Sequence, residues 1–447
     1  MSTKLWYTGE TTPIETESEP THLYPYHVDE WQHLALSEYA LEEKSLPIVN
    51  PYIESQPEKY NFEIGFTILN ALLIGALPIA SVHLYAFLPG LVMSLSMAAL
   101  FYCLRARVGF KESIFSSLLL IFIPSNINLT GFWFYTPLSA SIPLIFLTIG
   151  LYLRSKLTLR LLASSFFLLI VYPPGFFLSF FIVSIYEILS YNNVRRYLFA
   201  GLILTVIFLT FLLSTFTVFS SSWQKTFAVT YNPFILFGSL LTFLSAVGAI
   251  REYRDLKMTW LVWPAITGIL LLLYHVVNAT VLIPYPRVLY YFLIGLVPLA
   301  GLGLHEIDKH VSWLKPAFTG TLVALILLFS YHSIDDTRFR FQDFFSEEDM
   351  QVLHQLKDEP GTSKVLSNPH LASTIYPITG NHVPALPDSL LKYGDPRLYT
   401  RFLRAGCPGK QRIIEEEQID YVITQQRVEC GGFSTEANNG KFLYEIQ

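Results

Sequence analysis

The stretch YPRVLYYFLIGLVPLAGLGL at residues 285–304 decides the fold class, because Arg287 is its single charged residue. A helix of about 20 apolar residues crosses the hydrocarbon core of a bilayer. Lipid offers no hydrogen bonds to backbone groups, so a chain segment that crosses it must be helical. The stretch therefore predicts a membrane-spanning helix that begins near Arg287.

Similar apolar runs recur through the middle of the chain and predict a mostly α-helical, polytopic bundle with about ten transmembrane spans. We place these spans at 84–104, 113–131, 133–153, 159–172, 174–190, 197–219, 231–250, 259–278, 287–304 and 314–331.

The composition agrees with a membrane protein. Apolar residues make up 52% and charged residues 15% of the 447 positions, whereas about 25% of the residues in soluble domains are charged. Residues 1–60 carry a net charge of −8, residues 61–334 carry +8 and residues 335–447 carry −5. This pattern argues against an ordinary soluble enzyme. The basic residues are scattered between apolar runs, so we expect no nucleic-acid partner.

The loops between the spans alternate in charge, and this alternation predicts their orientation. Five loops carry thirteen Lys and Arg residues, whereas the other four carry only Lys225 and Arg287. Basic loops remain on the cytoplasmic side. With ten spans, both termini are then extracytoplasmic, and we expect a multi-pass protein of the cell membrane.

The apolar run at 61–80 has two interpretations. It carries Glu63 and Asn70 and ends at Leu77-Pro78. We interpret it as a helix that lies at the outer membrane interface. A true eleventh span is the alternative.

The two ends of the chain are expected to be water-soluble. The alternation of predicted helices and strands after the last span indicates a small extracytoplasmic α/β domain. The predicted boundaries are 1–22 for a disordered acidic tail, 23–83 for an extracytoplasmic first-loop segment, 84–334 for the helix bundle and 335–447 for the α/β domain.

Two of the three cysteines, Cys407 and Cys430, lie in the predicted α/β domain. An oxidising compartment favours a disulfide between them. Cys103 lies in a predicted span, where a cysteine most often serves packing. The sequence contains neither a CxxC nor an HExxH motif, and thus no strong zinc motif.

Arg287 is the first candidate site residue, because it breaks the charge alternation at the outer end of a span. A guanidinium group can donate two parallel hydrogen bonds to a phosphate. An arginine that reaches up to the lipid headgroups is the alternative. Tyr285 beside it and Trp133 on an earlier outer loop are further candidates for substrate binding.

Asp29 and Glu30 are the candidate catalytic residues on the first outer segment. A carboxylate at Asp29 can take the proton of an acceptor hydroxyl, while Arg287 stabilises the charge on a departing lipid phosphate. His33 follows Asp29 by four residues and shares its helix face, so it is a candidate for binding substrate or metal. Acids favoured by the helix dipole and a surface histidine are the alternatives.

The chain contains the motifs YPYHVDEWQHLALSEYAL (24–41), NPY (50–52), EIGFTILNALL (63–73), GFWFYTP (131–137), YPPG (172–175), the stretch 285–304, and VLSNPHLASTIYPITGNHVPAL (365–386) with IDYVIT (419–424). Together these motifs resemble those of the GT-C superfamily of polytopic glycosyltransferases. In that family the first outer loop carries an acidic catalytic motif, which Asp29 and Glu30 match, and an arginine of a late outer loop meets the donor phosphate, which Arg287 matches.

The resemblance implies hexosyl transfer from a polyprenyl- or dolichyl-phosphate sugar donor to a glycan, lipid or protein acceptor on the extracytoplasmic face, in contact with membrane lipid. It leaves a divalent metal cofactor open, with Asp29 and His33 as candidate ligands. Members of the family generally begin with a membrane helix directly before the acidic loop. We find no such helix between Met1 and Asp29. A misplaced start is one interpretation, and an inactive scaffold of the same fold is the other and is one alternative function.

A transporter or flippase for a lipid-linked glycan is the other alternative function. Transporters place polar or charged residues on broken helices at mid-membrane. The predicted spans contain few ionisable residues, which favours the enzyme.

Overall fold

The computed structural model describes residues 25, 27–46, 49–53, 63–77, 80–125, 131–155, 158–190, 238–254, 260–277, 283–310, 347–357, 362–386, 393–438 and 441–446. This part of the chain is mostly helical and contains a four-stranded sheet near the C terminus. The described residues form two compact units. The helical unit comprises residues 88–310, and the mixed unit comprises residues 25–87 together with 347–446.

The helices that precede the sheet are mostly apolar and differ widely in length. They are α1 (Val28–Glu42), α2 (Ile64–Ala76), α3 (Ser81–Leu104), α4 (Phe110–Leu119), α5 (Pro137–Ser155), α6 (Leu159–Val171), α7 (Pro173–Ser190), α8 (Ser239–Arg254), α9 (Val262–Val277) and α10 (Tyr285–His310).

Among the described residues, three helices are long and apolar enough to cross a membrane: Ser81–Leu104, Pro137–Ser155 and Tyr285–Lys309. The predicted total of about ten spans is not confirmed. The spans predicted at 197–219 and 314–331 lie outside the described residues.

Several other predicted spans correspond to shorter helices. The run predicted to cross at 113–131 forms α4, which a short 3-10 turn extends to Phe122. The predicted span at 159–172 forms α6, which has 13 residues, as has α2, the helix predicted to lie at the membrane interface. Thirteen residues correspond to about 20 Å of helix. A straight crossing of the hydrocarbon core requires about 30 Å, so neither helix is a full span by its length.

Small residues allow the helices of the helical unit to pack backbone against backbone. A Cβ atom added to Gly248 of α8 would lie 1.9 Å from the carbonyl oxygen of Leu299 on α10. One added to Gly303 of α10 would lie 1.9 Å from the carbonyl oxygen of Leu244 on α8. Helix pairs in membranes commonly approach closely at such positions. The apolar helix α10, which also contacts α4 and α9, is therefore the central element of this unit.

The mixed unit contains the sheet that the sequence predicts for the C-terminal domain. Strand order is β1-β2-β4-β3, with β1 parallel to β2 and the other neighbours antiparallel. Its elements are α11 (Glu347–Lys357), β1 (Val365–Leu366), α12 (Pro369–Thr379), α13 (Leu398–Arg404), α14 (Cys407–Glu417), β2 (Tyr421–Thr424), β3 (Phe433–Asn438) and β4 (Lys441–Ile446).

The first-loop segment belongs to the same unit as this sheet, although the sequence predicts the two as separate segments. Helix α1 contacts both α2 and α12. The Tyr52 hydroxyl donates to the carbonyl oxygen of Ser373 at 2.6 Å, and the Val383 N–H donates to the carbonyl oxygen of Tyr52 at 3.1 Å. These contacts join chain segments more than 300 positions apart.

Cys407 and Cys430 form a disulfide, with their Cα atoms 5.5 Å apart. It ties the start of α14 to the loop before β3, whereas Cys103 is a free, buried thiol. Replacing both disulfide cysteines by serine should lower the unfolding free energy of the mixed unit by roughly 2–4 kcal/mol, because the unfolded chain regains freedom. Chemical denaturation of this variant and of Cys103→Ser separates the disulfide effect from thiol loss. Two free thiols at 407 and 430 in protein from an oxidising compartment would contradict the bridge.

Candidate functional site

The first turn of α1 is held by a reciprocal cap. The His27 ring nitrogen Nδ1 accepts the Asp29 N–H at 3.1 Å, and the Glu30 carboxylate accepts the His27 N–H at 3.1 Å. This arrangement satisfies backbone donors that the helix start would otherwise leave unpaired. Glu30 is completely buried, so its carboxylate holds the start of the helix.

Asp29 is positioned by this cap, and its carboxylate remains accessible. One Asp29 oxygen lies 3.6 Å from His27 Nδ1, and the Asp29 side chain is 25% exposed. Of the two adjacent acids, Asp29 is partly exposed and Glu30 is fully buried.

His33 is a core residue and not a surface histidine. Its side chain is 2% exposed, and its Nε2 lies 3.5 Å from a carboxylate oxygen of Glu63. The ring also meets the edge of Phe66 on α2, with 4.9 Å between ring centroids. His33 therefore connects α1 to α2.

Helix α1 is buried on every side of its middle turns, whereas the sequence predicts only a partial apolar face. The polar residues Gln32 and Ser37 are as buried as Trp31 and Leu34. The physical reason is that α1 packs against α2 and α12, which cover the polar face. Ser37 donates to the His33 carbonyl oxygen at 2.7 Å.

Arg287 lies in the first turn of α10, in the helical unit. Its Nη1 donates to the Tyr172 hydroxyl at 3.0 Å, and its guanidinium carbon lies 5.5 Å from the centre of the Tyr172 ring. Tyr172 separates α6 from α7, since its N–H donates to Leu168 and its carbonyl oxygen accepts the Gly175 N–H. The YPPG turn therefore holds the guanidinium at the start of α7.

Tyr285 and Trp133 also belong to the helical unit, and both are largely buried, at 5% and 8% exposure. Tyr285 stacks on Tyr274 with ring centroids 4.4 Å apart. Next to Trp133, the Phe132 N–H donates to the Tyr290 hydroxyl at 2.8 Å. The structure thus places Arg287, Tyr285 and Trp133 in the helical unit, and Asp29, Glu30 and His33 in the mixed unit.

No family model and no curated protein matches this sequence. Solved structures of the oligosaccharyltransferase AglB from Archaeoglobus fulgidus match nearly the whole chain. The complex with an inhibitory peptide and a dolichol-phosphate has a TM-score of 0.59 at 12% identity and covers 97% of this chain and 71% of that chain. The chain shares the fold of this archaeal enzyme, which is a GT-C glycosyltransferase.

Two further structures of the same GT-C enzyme agree with this match. One is tethered to an acceptor peptide containing the NVT sequon and has a TM-score of 0.57 at 13% identity, covering 97% of this chain and 71% of that chain. The other holds Zn and sulfate and has a TM-score of 0.59 at 14% identity, covering 97% and 70%. The GT-C resemblance inferred from sequence motifs is confirmed at the level of the fold.

Asp29 and His33 do not form a metal centre of three protein ligands. Among the residues that the structure describes, no three His, Cys, Asp or Glu side chains lie together as metal ligands. His33 faces Glu63 and Asp29 lies beside His27. These residues do not fit such a centre.

Sequence reasoning missed a group of charged residues where α4, α8 and α10 meet in the helical unit. Oε1 of Glu112 lies 3.1 Å from Nε2 of His305 and 3.4 Å from Nη2 of Arg251. Nε of Arg251 lies 3.5 Å from Oε2 of Glu306. The sequence contained one indication of this group, namely that acidic residues are rare in this part of the chain: residues 61–334 contain only seven. Acids at a helix end in an otherwise basic segment indicate internal ion pairs.

Glu38 on α1 provides a test of the packing around the candidate catalytic helix. Burial raises the pKa of Glu38 to about 8, opposed by a hydrogen bond from Ser81 and reinforced by Glu42. In an unfolded chain the pKa of Glu is about 4.3. Between these values the folded protein keeps a proton that the unfolded chain has lost, so the unfolding free energy falls as pH rises.

We therefore expect the melting temperature to fall between pH 5 and pH 8, and Glu38→Gln to remove part of that fall. Thermal unfolding of both proteins across this range measures the effect. Identical pH profiles for the two proteins would show that Glu38 does not retain its proton.

Proposed function

We propose that this protein is a membrane glycosyltransferase that moves a sugar from a polyprenyl-phosphate-type donor to an acceptor on the extracytoplasmic face. The supporting observation is the GT-C fold match, which covers 94–97% of the chain. One matched AglB structure holds a dolichol-phosphate and another an acceptor peptide. A lipid-linked donor and a separate acceptor are therefore compatible with this fold.

In the proposed reaction, Asp29 is the general base. An acceptor oxygen forms a bond to the sugar carbon that carries the donor phosphate, and the bond from that carbon to the phosphate oxygen breaks. The acceptor proton passes to the Asp29 carboxylate, which is a base of suitable strength when it lies within hydrogen-bond reach. Glu30 contributes by holding the cap that positions Asp29.

Arg287 is the proposed phosphate contact. The lipid phosphate leaves with the electron pair of the broken bond, so its negative charge increases during the reaction. A positively charged donor that is already oriented lowers the cost of this charge. Tyr172 supplies the orientation, since it contacts the guanidinium through both its hydroxyl and its ring.

The proposed orientation places the sheet domain on the extracytoplasmic side. The five loops that together carry thirteen Lys and Arg residues then lie in the cytoplasm. Single cysteines at Ser18 and at Ser434 of β3 should react with a membrane-impermeant maleimide in intact cells. A cysteine at Ser155, the C-terminal residue of α5, should react only after permeabilisation. Protection at 18 or 434 would reverse or break this topology.

A transfer assay distinguishes the proposed enzyme from its alternatives. Purified protein in vesicles is given a radiolabelled polyprenyl-phosphate sugar and a mixture of glycan, lipid and peptide acceptors. A transferase moves the label from the lipid extract to an acceptor, whereas a flippase moves the intact donor between leaflets. Intact donor on both leaflets, or donor that is bound and left unchanged, would contradict the proposed function.

A further inference from the structure

Three arginines lie at one end of the helical unit. Arg105 and Arg107 directly follow α3, and Arg154 is in the last turn of α5. The two helix ends are adjacent, because Arg154 Nη2 donates to the Tyr102 carbonyl oxygen of α3 at 2.9 Å. A Cβ atom added to Gly150 of α5 would also lie 3.0 Å from the Cys103 Cα.

This end is remote from the proposed phosphate contact. Arg287 binds Tyr172, immediately before the first residue of α7. Arg107 lies over Tyr186, near the last residue of the same helix, with 5.6 Å to the ring centroid. Fourteen helical residues correspond to roughly 20 Å, so the arginine cluster and Arg287 occupy opposite ends of the unit.

Each guanidinium group in the cluster rests on an aromatic ring, and all three arginines are exposed. The guanidinium-to-centroid distances are 4.2 Å for Arg154 over Tyr102, 5.6 Å for Arg107 over Tyr186 and 5.9 Å for Arg105 over Phe110. Such contacts orient an arginine and retain its full charge and its donors. The positive groups are therefore pre-oriented at the protein surface.

The charge of these arginines is not balanced within the part of the chain that the structure describes. Arg251, at the same end, pairs with both Glu112 and Glu306. No described carboxylate makes such a pair with Arg105, Arg107 or Arg154. Glu187, next to Tyr186, accepts a hydrogen bond from Tyr152 instead. Three positive charges are left for an external anion.

One exposed apolar side chain lies against the cluster, and a second follows it closely in the sequence. Phe110, which lies under Arg105, is 58% exposed, and Leu159, five residues after Arg154, is 83% exposed. A ligand that matches both features has an anionic headgroup and apolar tails. Basic side chains at a membrane surface attract anionic lipids.

We propose that Arg105, Arg107 and Arg154 form a binding site for the phosphate headgroup of an anionic phospholipid, whose acyl chains lie along the apolar surface beside Phe110 and Leu159. This site does not depend on the proposed transfer reaction. Each basic residue near an anionic membrane contributes roughly fivefold in affinity. Loss of all three should therefore weaken binding by about 100-fold.

Native mass spectrometry of the purified full chain, titrated with phosphatidylglycerol or phosphatidylcholine, tests the site. The wild type should retain phosphatidylglycerol preferentially. R105Q/R107Q/R154Q should lose that preference, while R404Q/R412Q/R427Q, which removes the same charge from exposed arginines of the mixed unit, should keep it. Equal phosphatidylglycerol binding by the wild type and the first variant would overturn the proposal.

Two further measurements keep the test decisive. Arg107→Gln alone is the milder substitution, and it should weaken phosphatidylglycerol binding by about fivefold in a protein whose melting temperature is unchanged. Inorganic phosphate should not displace the lipid at equal concentration, because it cannot use the apolar surface. Displacement by phosphate alone would identify a free-anion site and contradict a lipid site.

Discussion

Asp29→Asn is expected to reduce sugar transfer by about 10²–10⁴-fold, the usual contribution of a general base. A free hydroxyl is a weak nucleophile, and the asparagine amide keeps the shape of the carboxylate while losing its ability to take a proton. The first turn of α1 should remain intact, since the cap uses the Asp29 backbone N–H and not its side chain. Donor binding and melting temperature should therefore be close to those of the wild type.

The adjacent acid supplies a matched control. Glu30→Gln also removes one negative charge, but its amide oxygen can still accept the His27 N–H that the carboxylate accepts now. We expect this variant to transfer sugar within about tenfold of the wild-type rate, because one hydrogen bond contributes about 1 kcal/mol. Initial rates of both variants at saturating donor measure the contrast. Full activity in Asp29→Asn would eliminate Asp29 as the base.

Arg287→Ala is expected to lower the transfer rate by about 10²–10³-fold, comparable to the loss of one donor to a developing oxyanion. Arg287→Lys keeps the positive charge and loses the planar guanidinium, so its rate should lie between those of alanine and wild type. Tyr172→Phe keeps the ring under Arg287 and removes the hydroxyl that accepts its hydrogen bond. A decrease of several-fold is expected from that loss.

Steady-state rates at several donor concentrations test these values, and Arg160→Ala is the control. Arg160 is an exposed arginine of α6 in the same helical unit, so its removal should leave the rate unchanged. Wild-type rates in both Arg287 variants would mean that Arg287 only anchors α10 at the membrane interface.

Local hydropathy was sufficient to predict the long helices α3, α5 and α10. Each contains a long, mostly apolar run without Asp, Glu, Lys or Arg, and that property belongs to the segment itself. The burial of α1 could not be predicted this way, since Gln32, His33 and Ser37 lie on a polar pattern that is typical of a solvated helix. Their burial depends on α2 and α12, which are distant in sequence.

The residue types at the candidate site followed from the sequence, whereas their partners did not. An acid pair at a helix start and an arginine at the outer end of a span are local signals. Tyr172 lies 115 positions from Arg287, and Ser373 lies 321 positions from Tyr52. A single sequence does not indicate which distant residues contact each other. The sequence shows Glu63 only as a charged residue within an apolar run. In the structure, its carboxylate faces His33.

The most direct test of the proposed glycosyltransferase is a product balance. The purified full chain is incubated with a polyprenyl-phosphate-linked sugar and the acceptor mixture, and mass spectrometry quantifies both the released lipid phosphate and the glycosylated acceptor. We predict that the two products form one for one in the wild type and that both decrease in Asp29→Asn and Arg287→Ala. Donor that is bound by the wild type and recovered intact, with neither product formed, would contradict this function.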